Sequence, residues 1–227
     1  MAIIVRTMKI EEIEETGKII VESFNDVFVK HGLPAPFQSW QAGRGLAYGY
    51  ARHDPKGCLI ATENGKIIGS GFIHLRGETA SIGPVSVSPE HQSRGVGRTI
   101  MEALLEIGSR ASSIRLIQDS FNTLSFSLYT KLGFQVYDVV LSLLLREPGD
   151  FRPPSLAPED YPQSEREIRL VEKTDLSGIL ALDRQVMGYD RAKDFTLLIN
   201  EGVGLINKLR HSDQIDSYIF CYSYREN

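Results

Sequence analysis

The period of the hydrophobic positions changes several times along the chain, and each change marks an element. Residues 2–7, rich in Ile and Val, read as a first strand. Over residues 10–30 the period lengthens: Ile13, Ile20, Phe24 and Val27 share a helical face, with Ile19 and Phe28 near it. Gly32, Pro34 and Pro36 stop that pattern. Residues 37–53 carry Trp40, Tyr48 and Tyr50 among Gly43, Gly45 and Gly49, a glycine density that argues against a long stable helix. From Gly57 the pattern is β. Residues 58–63 and 66–75 read as strands joined by the hairpin turn Asn64-Gly65, and residues 79–87 as the next strand. Val96, Ile100, Leu104 and Ile107 then return to helical spacing, with Arg98, Glu102 and Glu106 on other faces. Residues 114–118 read as strand, 122–131 as helix closed by Gly133, and 134–145 as two strand-like runs around Tyr137-Asp138.

Residues 147–163 hold Pro148, Pro153, Pro154, Pro158 and Pro162 with Gly149, a composition that resists regular structure. Beyond them the pattern restarts. Ile168-Arg169-Leu170-Val171, followed by a helical segment from Asp175, mirrors Val5-Arg6-Thr7-Met8 and its helix. The expected organisation is therefore a first domain over 1–147, a linker over 148–166 and a second unit over 167–227. Alternating strands and helices place the first domain among mixed α/β layers, with helices on the faces of a central sheet.

The junction between the 79–87 strand and the helix from Val96 carries the candidate chemistry. Ser88-Pro89 ends the strand, because proline fixes φ and donates no hydrogen bond. Gly95 and Gly97 let the backbone turn tightly and approach a ligand. The first helical N–H groups have no internal partner and the helix dipole adds partial positive charge, so the junction suits a phosphate or pyrophosphate. Arg94 and Arg98 stand ready to add charge. The same residues also fit a plain strand–turn–helix joint. Two nucleotide signatures fail on specific residues: the phosphate loop needs Lys where Arg98 stands, and the dinucleotide fingerprint needs Gly where Ile100 stands.

What remains is Gln92-x-x-Gly95-x-Gly97 after Val85-Ser86-Val87-Ser88-Pro89. This resembles the acetyl-CoA pyrophosphate loop of the GNAT superfamily of N-acetyltransferases. Downstream, Asn122-Thr123-Leu124-Ser125-Phe126-Ser127-Leu128-Tyr129 and the exit Leu132-Gly133-Phe134 resemble that family's second signature, in the right order. The resemblance implies a central, mixed, mostly antiparallel sheet flanked by helices, with a small C-terminal extension. It also implies acetyl-CoA as acetyl donor to an amine. Main-chain groups of Val85, Ser86 and Val87 would hold the pantetheine arm, and the Val87 N–H would polarise the thioester carbonyl. The backbone from Gln92 through Ser93, Arg94, Gly95, Val96, Gly97 and Arg98 to Thr99 would receive the pyrophosphate. Asn122 and Ser125 would contact the cofactor, and Tyr129 would protonate the departing thiolate. Residues 167–227 then resemble the opening of a second module of the same kind, a partial one, since no second Gln-x-x-Gly-x-Gly follows.

The family's usual base, a glutamate before the loop, has no counterpart in Ile82-Gly83-Pro84-Val85-Ser86-Val87. Glu78, His74, Glu22 and Asp26 are the candidates elsewhere. Non-catalytic readings stay open beside the enzyme: an acyl-CoA-binding sensor, or an interaction protein that kept the fold and lost the cofactor. In the 227-residue chain, 42% hydrophobic and 24% charged residues describe an ordinary globular protein, and a net charge of −4 gives no general attraction to nucleic acid or anionic membrane. Cys58 and Cys221 lie far apart without metal-ligand spacing, which fits a reducing, cytoplasmic setting. No signal peptide or bilayer-spanning run is expected, and a homodimer is among the expected assemblies.

Overall fold

The computed structural model describes residues 2–140 and 166–221, apart from 202, 210 and 211. The expected linker and residues 141–145 of the second strand-like run lie outside the described residues. Two compact units result, one running to Tyr129 and the other beginning at Thr130.

The first unit is built on a five-stranded sheet, in the order β1 (Ile4–Thr7), β2 (Cys58–Glu63), β3 (Lys66–Arg76), β4 (Thr79–Val87) and β5 (Ser113–Leu116). The first four are antiparallel neighbours, and β5 runs parallel to β4. Asn64 and Gly65, both at positive φ, make the expected hairpin turn between β2 and β3. Four helices accompany the sheet: α1 (Ile13–Lys30), α2 (Trp40–His53), α3 (Val96–Ile107) and α4 (Thr123–Lys131). Ile13, Ile20 and Ala47 of α1 and α2 bury against Cys58, Ile60, Ile67 and Phe72 of β2 and β3. Each fully buried aliphatic or aromatic side chain of this kind contributes roughly 1.5–3 kcal/mol.

Helix α2 corrects the expectation drawn from its glycines. It runs for 14 residues, because Gly43 is spent on close packing rather than on a turn. A Cβ on Gly43 would clash with the Gly17 carbonyl oxygen, and one on Gly17 would clash with the Arg44 backbone nitrogen. The two helices therefore meet backbone to backbone at Gly17 and Gly43, whereas Gly45 and Gly49 face open space and carry the helix propensity cost of roughly 1 kcal/mol each. Trp40 and Tyr48 stay partly exposed, while Tyr50 stacks on Phe72. Residues 134–140 form no strand, which corrects the first of the two expected strand-like runs.

The second unit holds a three-stranded antiparallel sheet of β6 (Arg166–Leu170), β7 (Val203–Leu209) and β8 (Ile215–Cys221). Helices α5 (Leu176–Met187) and α6 (Ala192–Glu201) pack on it through a core of Ile179, Phe195, Ile206 and Ile215.

Candidate functional site

Two features of β4 open an edge in the first sheet. Its pairing with β5 covers Thr79–Ile82 and stops there. Against β3 the register shifts between Gly71 and Ile73, so that Gly83 and Pro84 form a bulge. Past the bulge, Ser88 donates its N–H to Ile68 on β3. By the alternation of an antiparallel ladder, the main-chain groups of Val85 and Val87 then point away from β3, to the side where β5 has ended. Ser86 is the opposite case. Its side chain is buried against Ser70, hydroxyl to hydroxyl at 2.7 Å, and its main chain belongs to the β3 ladder. Of the three strand residues expected at a ligand, the geometry offers Val85 and Val87 and withdraws Ser86.

Both main-chain groups of Val87 are held by side chains. Its N–H donates to the Ser23 hydroxyl of α1 at 3.3 Å, and its carbonyl accepts from the Gln92 amide at 3.2 Å. Gln92, expected at the ligand, thus ties the loop to the strand. Ser23 was not singled out from the sequence. The signal was there: it is a small polar residue on the stripe that Ile13, Ile20 and Val27 make apolar.

The loop then turns into α3 with Ser93 and Gly95 both at positive φ, Gly95 as the left-handed cap before Val96. Glycine takes that conformation without the steric cost a Cβ would add. Thr99 donates both its N–H and its hydroxyl to the Gly95 carbonyl, closing the first turn. Its N–H is therefore committed, which removes Thr99 from the expected anion set and leaves the N–H groups of Val96, Gly97 and Arg98 facing outward. Arg94 stands 3.7 Å from the mostly buried Glu63 carboxylate, and Arg98 stands 3.4 Å from Glu102 as an exposed pair. Glu63, at the end of β2, also lies 3.7 Å from His91, so one carboxylate braces the loop from below.

The third segment meets the first two. A Cβ on Gly97 would lie 3.5 Å from Leu128 of α4 and 3.7 Å from Val87 of β4. Three stretches far apart in sequence, the strand end, the helix start and the helix carrying Tyr129, converge at that point. Asn122 accepts the Ser125 N–H with its side-chain oxygen, a helix N-cap, and Ser125 in turn donates its hydroxyl to Gln118. Both residues thus build the start of α4, and the Asn122 amide NH2 is the group left to meet a ligand. Tyr129 is half-buried, and burial holds its phenol above the usual range, in the protonated form. Helix α1 reaches this side as well, with Phe28 edge-on to Phe121 at 4.9 Å.

The base candidates separate by distance. His74 pairs with Ser81 across the ladder, six residues from Val87 and so roughly 20 Å along the strand. Its ring stacks on Tyr50 at 4.4 Å and lies 3.4 Å from Asp54, and burial lowers its pKa. It is a structural histidine in a Tyr50–Asp54–Arg76 cluster. Glu78 lies farther still, in the β3–β4 turn, where it accepts from Ser112. Glu22 is exposed beside Ser23, whereas Asp26 follows Ser23 by three residues and so shares its helix face. Asp26 also pairs with Lys30 at 2.7 Å.

The model of the acetyltransferase (GNAT) family matches residues 17–134, just over half of the chain. The chain belongs to that family. No curated protein matches the sequence. Among solved structures, a candidate acetyltransferase of Pyrococcus horikoshii superposes with a TM-score of 0.65 at 24% identity, over 90% of this chain and 67% of that one. The aminoglycoside N-acetyltransferase AAC(6')-Iy, solved with CoA, superposes with a TM-score of 0.51 at 17% identity, over 64% of this chain and 95% of that one. At these identities both show the fold: the mostly antiparallel sheet flanked by helices is the GNAT arrangement. Family members use acetyl-CoA, and in this GNAT chain the open β4 edge and the α3 N-terminus are groups that fit it. Among the described residues no cluster suits a metal ion, and no helix is long and apolar enough to cross a membrane.

Proposed function

We propose that this chain is an acetyl-CoA-dependent N-acetyltransferase acting on a primary amine of a small molecule or peptide. The observation that carries the reading is the convergence at Gly97, within side-chain reach of both Val87 and Leu128. Bound acetyl-CoA supplies a thioester, which yields its acetyl group to the amine as the C–N bond forms and the C–S bond breaks. Val85 offers its main-chain donor and acceptor to the pantetheine arm as a neighbouring strand would, and Val87 does so as Ser23 and Gln92 release it. The Val87 N–H faces the acyl oxygen and stabilises charge developing there. Val96, Gly97 and Arg98 turn their N–H groups to the pyrophosphate. Arg98 exchanges its carboxylate partner for phosphate readily, since an exposed pair is worth only about 0–1 kcal/mol, and the exposed guanidinium of Arg94 adds charge beside it. Tyr129 gives its proton to the departing sulfur, and burial keeps that proton in place until then. Asp26, on the face shared with Ser23, takes the proton the amine loses, directly or through water.

We further propose that residues 167–227 are a partial second copy of the module's first half. In support, β6, α5, α6, β7 and β8 follow the same order as β1, α1, α2, β2 and β3.

Isothermal titration with acetyl-CoA, CoA and ATP tests the main reading. Saturable binding of acetyl-CoA and CoA, with none of ATP, is expected; no binding at millimolar cofactor would overturn it. Tyr129→Phe should keep that affinity and lower turnover of an amine substrate by about a hundredfold or more. Unchanged turnover would remove Tyr129 from the chemistry. Binding without turnover of any amine would leave the acyl-CoA sensor.

A further inference from the structure

We infer that Ser23 is a second hydrogen-bond donor to the acyl oxygen, acting beside the Val87 N–H; this rests on the acetyl-transfer reading above. A serine in the middle of a helix ordinarily points to solvent or bonds back to the carbonyl four residues earlier. Ser23 does neither. It is 6% exposed and its hydroxyl receives the Val87 N–H across 3.3 Å. That N–H belongs to the edge of β4 where β5 has ended, so the hydroxyl stands where a neighbouring strand or a ligand would place an oxygen.

A hydroxyl carries one donor and two acceptor lone pairs, and the Val87 N–H uses one lone pair. An oxygen that takes over the Val87 N–H therefore arrives next to Ser23. Rotation about the side chain then turns the hydroxyl from acceptor to donor, toward that same oxygen. The serine is well supported for this task. Ile19 and Ile20 bury α1 just before it, and Asn25 just after it is bonded twice to the Phe37 backbone, at 2.9 and 3.1 Å. One turn further on, Phe28 packs against Phe121. A donor held in place before the charge develops is the condition under which such groups stabilise it.

The arrangement makes Ser23 a reader of the acyl group as well as a support for the strand. Coenzyme A and acetyl-CoA share every phosphate and pantetheine contact and differ in the carbonyl. Titration of the full-length wild type, Ser23→Ala and Ser23→Thr with acetyl-CoA and with CoA separates the roles. Ser23→Ala should weaken acetyl-CoA by about five- to tenfold, the worth of one neutral hydrogen bond, and leave CoA within about twofold. Ser23→Thr, which keeps the hydroxyl, should restore the wild-type ratio. Retained CoA binding certifies that each variant is folded. An equal change for both ligands, or no change for either, would reduce Ser23 to a strand support and overturn the proposal. If the wild type itself bound neither ligand, the acetyl-transfer reading would fail first and this proposal with it.

Discussion

In the first unit Arg6 clamps Glu12 through two hydrogen bonds of 2.9 and 2.6 Å, and the Glu12 carboxylate also accepts the Lys9 N–H. In the second unit Arg169 clamps Asp175 through two bonds of 2.7 Å, and Asp175 accepts the Glu172 N–H. The spacing is six residues in each, and each clamp joins the first strand of its unit to the start of the following helix. From there both units continue helix, helix, strand, strand. The difference comes next. The first unit goes on to β4, the glycine loop, α3 and α4, for which the described residues of the second hold no counterpart. On the second sheet Ile168, Leu170 and Ile219 are exposed by 72%, 61% and 57%. In the first, Val96, Ile100 and Leu104 of α3 are buried on the sheet. The recurring half is scaffold, a helix pair on an antiparallel sheet. The groups proposed for the ligand all belong to the segments without that counterpart, apart from Ser23 and Asp26, which the scaffold lends to them.

Filling the point where the unrepeated segments meet should have the largest effect. Gly97→Trp places an indole between Val87 and Leu128, and acetyl-CoA and CoA affinity should fall by about a thousandfold or more, read by titration. Undiminished affinity would dissolve the contrast between the two halves, because the ligand groups would then lie elsewhere.

The next test asks whether the second unit stands apart. Phe195 is 1% exposed at the centre of that core, and Phe195→Ala should cost about 3–5 kcal/mol there. Calorimetry should show one transition lowered and the other in place, with CoA affinity unchanged. A single transition that shifts as a whole would mean that the units fold as one.

The smallest effect sharpens the comparison of the clamps. The Arg6 guanidinium holds the Glu12 carboxyl down to about 2, and Arg169 likewise lowers Asp175. A carboxyl whose folded pKa is depressed stabilises the fold above its unfolded pKa and loses that contribution as pH falls through the folded value. Acid titration of stability should therefore show a loss beginning near the ordinary carboxylate range and continuing toward pH 2. Arg6→Ala or Arg169→Ala should flatten it, each at a cost of about 1 kcal/mol at neutral pH, since both arginines are partly exposed. Equal acid profiles in wild type and variants would mean that the clamps are geometric and not energetic.

Much of the first unit was legible because its signals are local. Asn64-Gly65 announced the hairpin, and the Val96–Ile107 spacing announced α3. The misreadings came from contacts with distant partners. Glycine in α2 reads as a helix breaker until Gly17 is placed against Gly43. Ser86 and Val87 look alike in sequence, and strand alternation alone sends one inward to Ser70 and the other to the open edge. Thr99 passed for an anion ligand because nothing local tells where a cap will fall, and Gly95 fell there. Ser23 needed the packing of α1 over β4.

A strand that ends its pairing early is also a template on which another chain can build. Between Gly83 and Val87 that danger is blunted at Pro84 and at Val87. Pro84 has no N–H to give, Ser23 occupies the donor of Val87, and Gln92 occupies its acceptor. When a ligand lies along the strand, the Gln92 amide leaves the Val87 carbonyl and the Ser23 hydroxyl turns from the Val87 N–H to the ligand. Occupancy should then guard the protein against clumping, so that preparations stored with coenzyme outlast those stored without it.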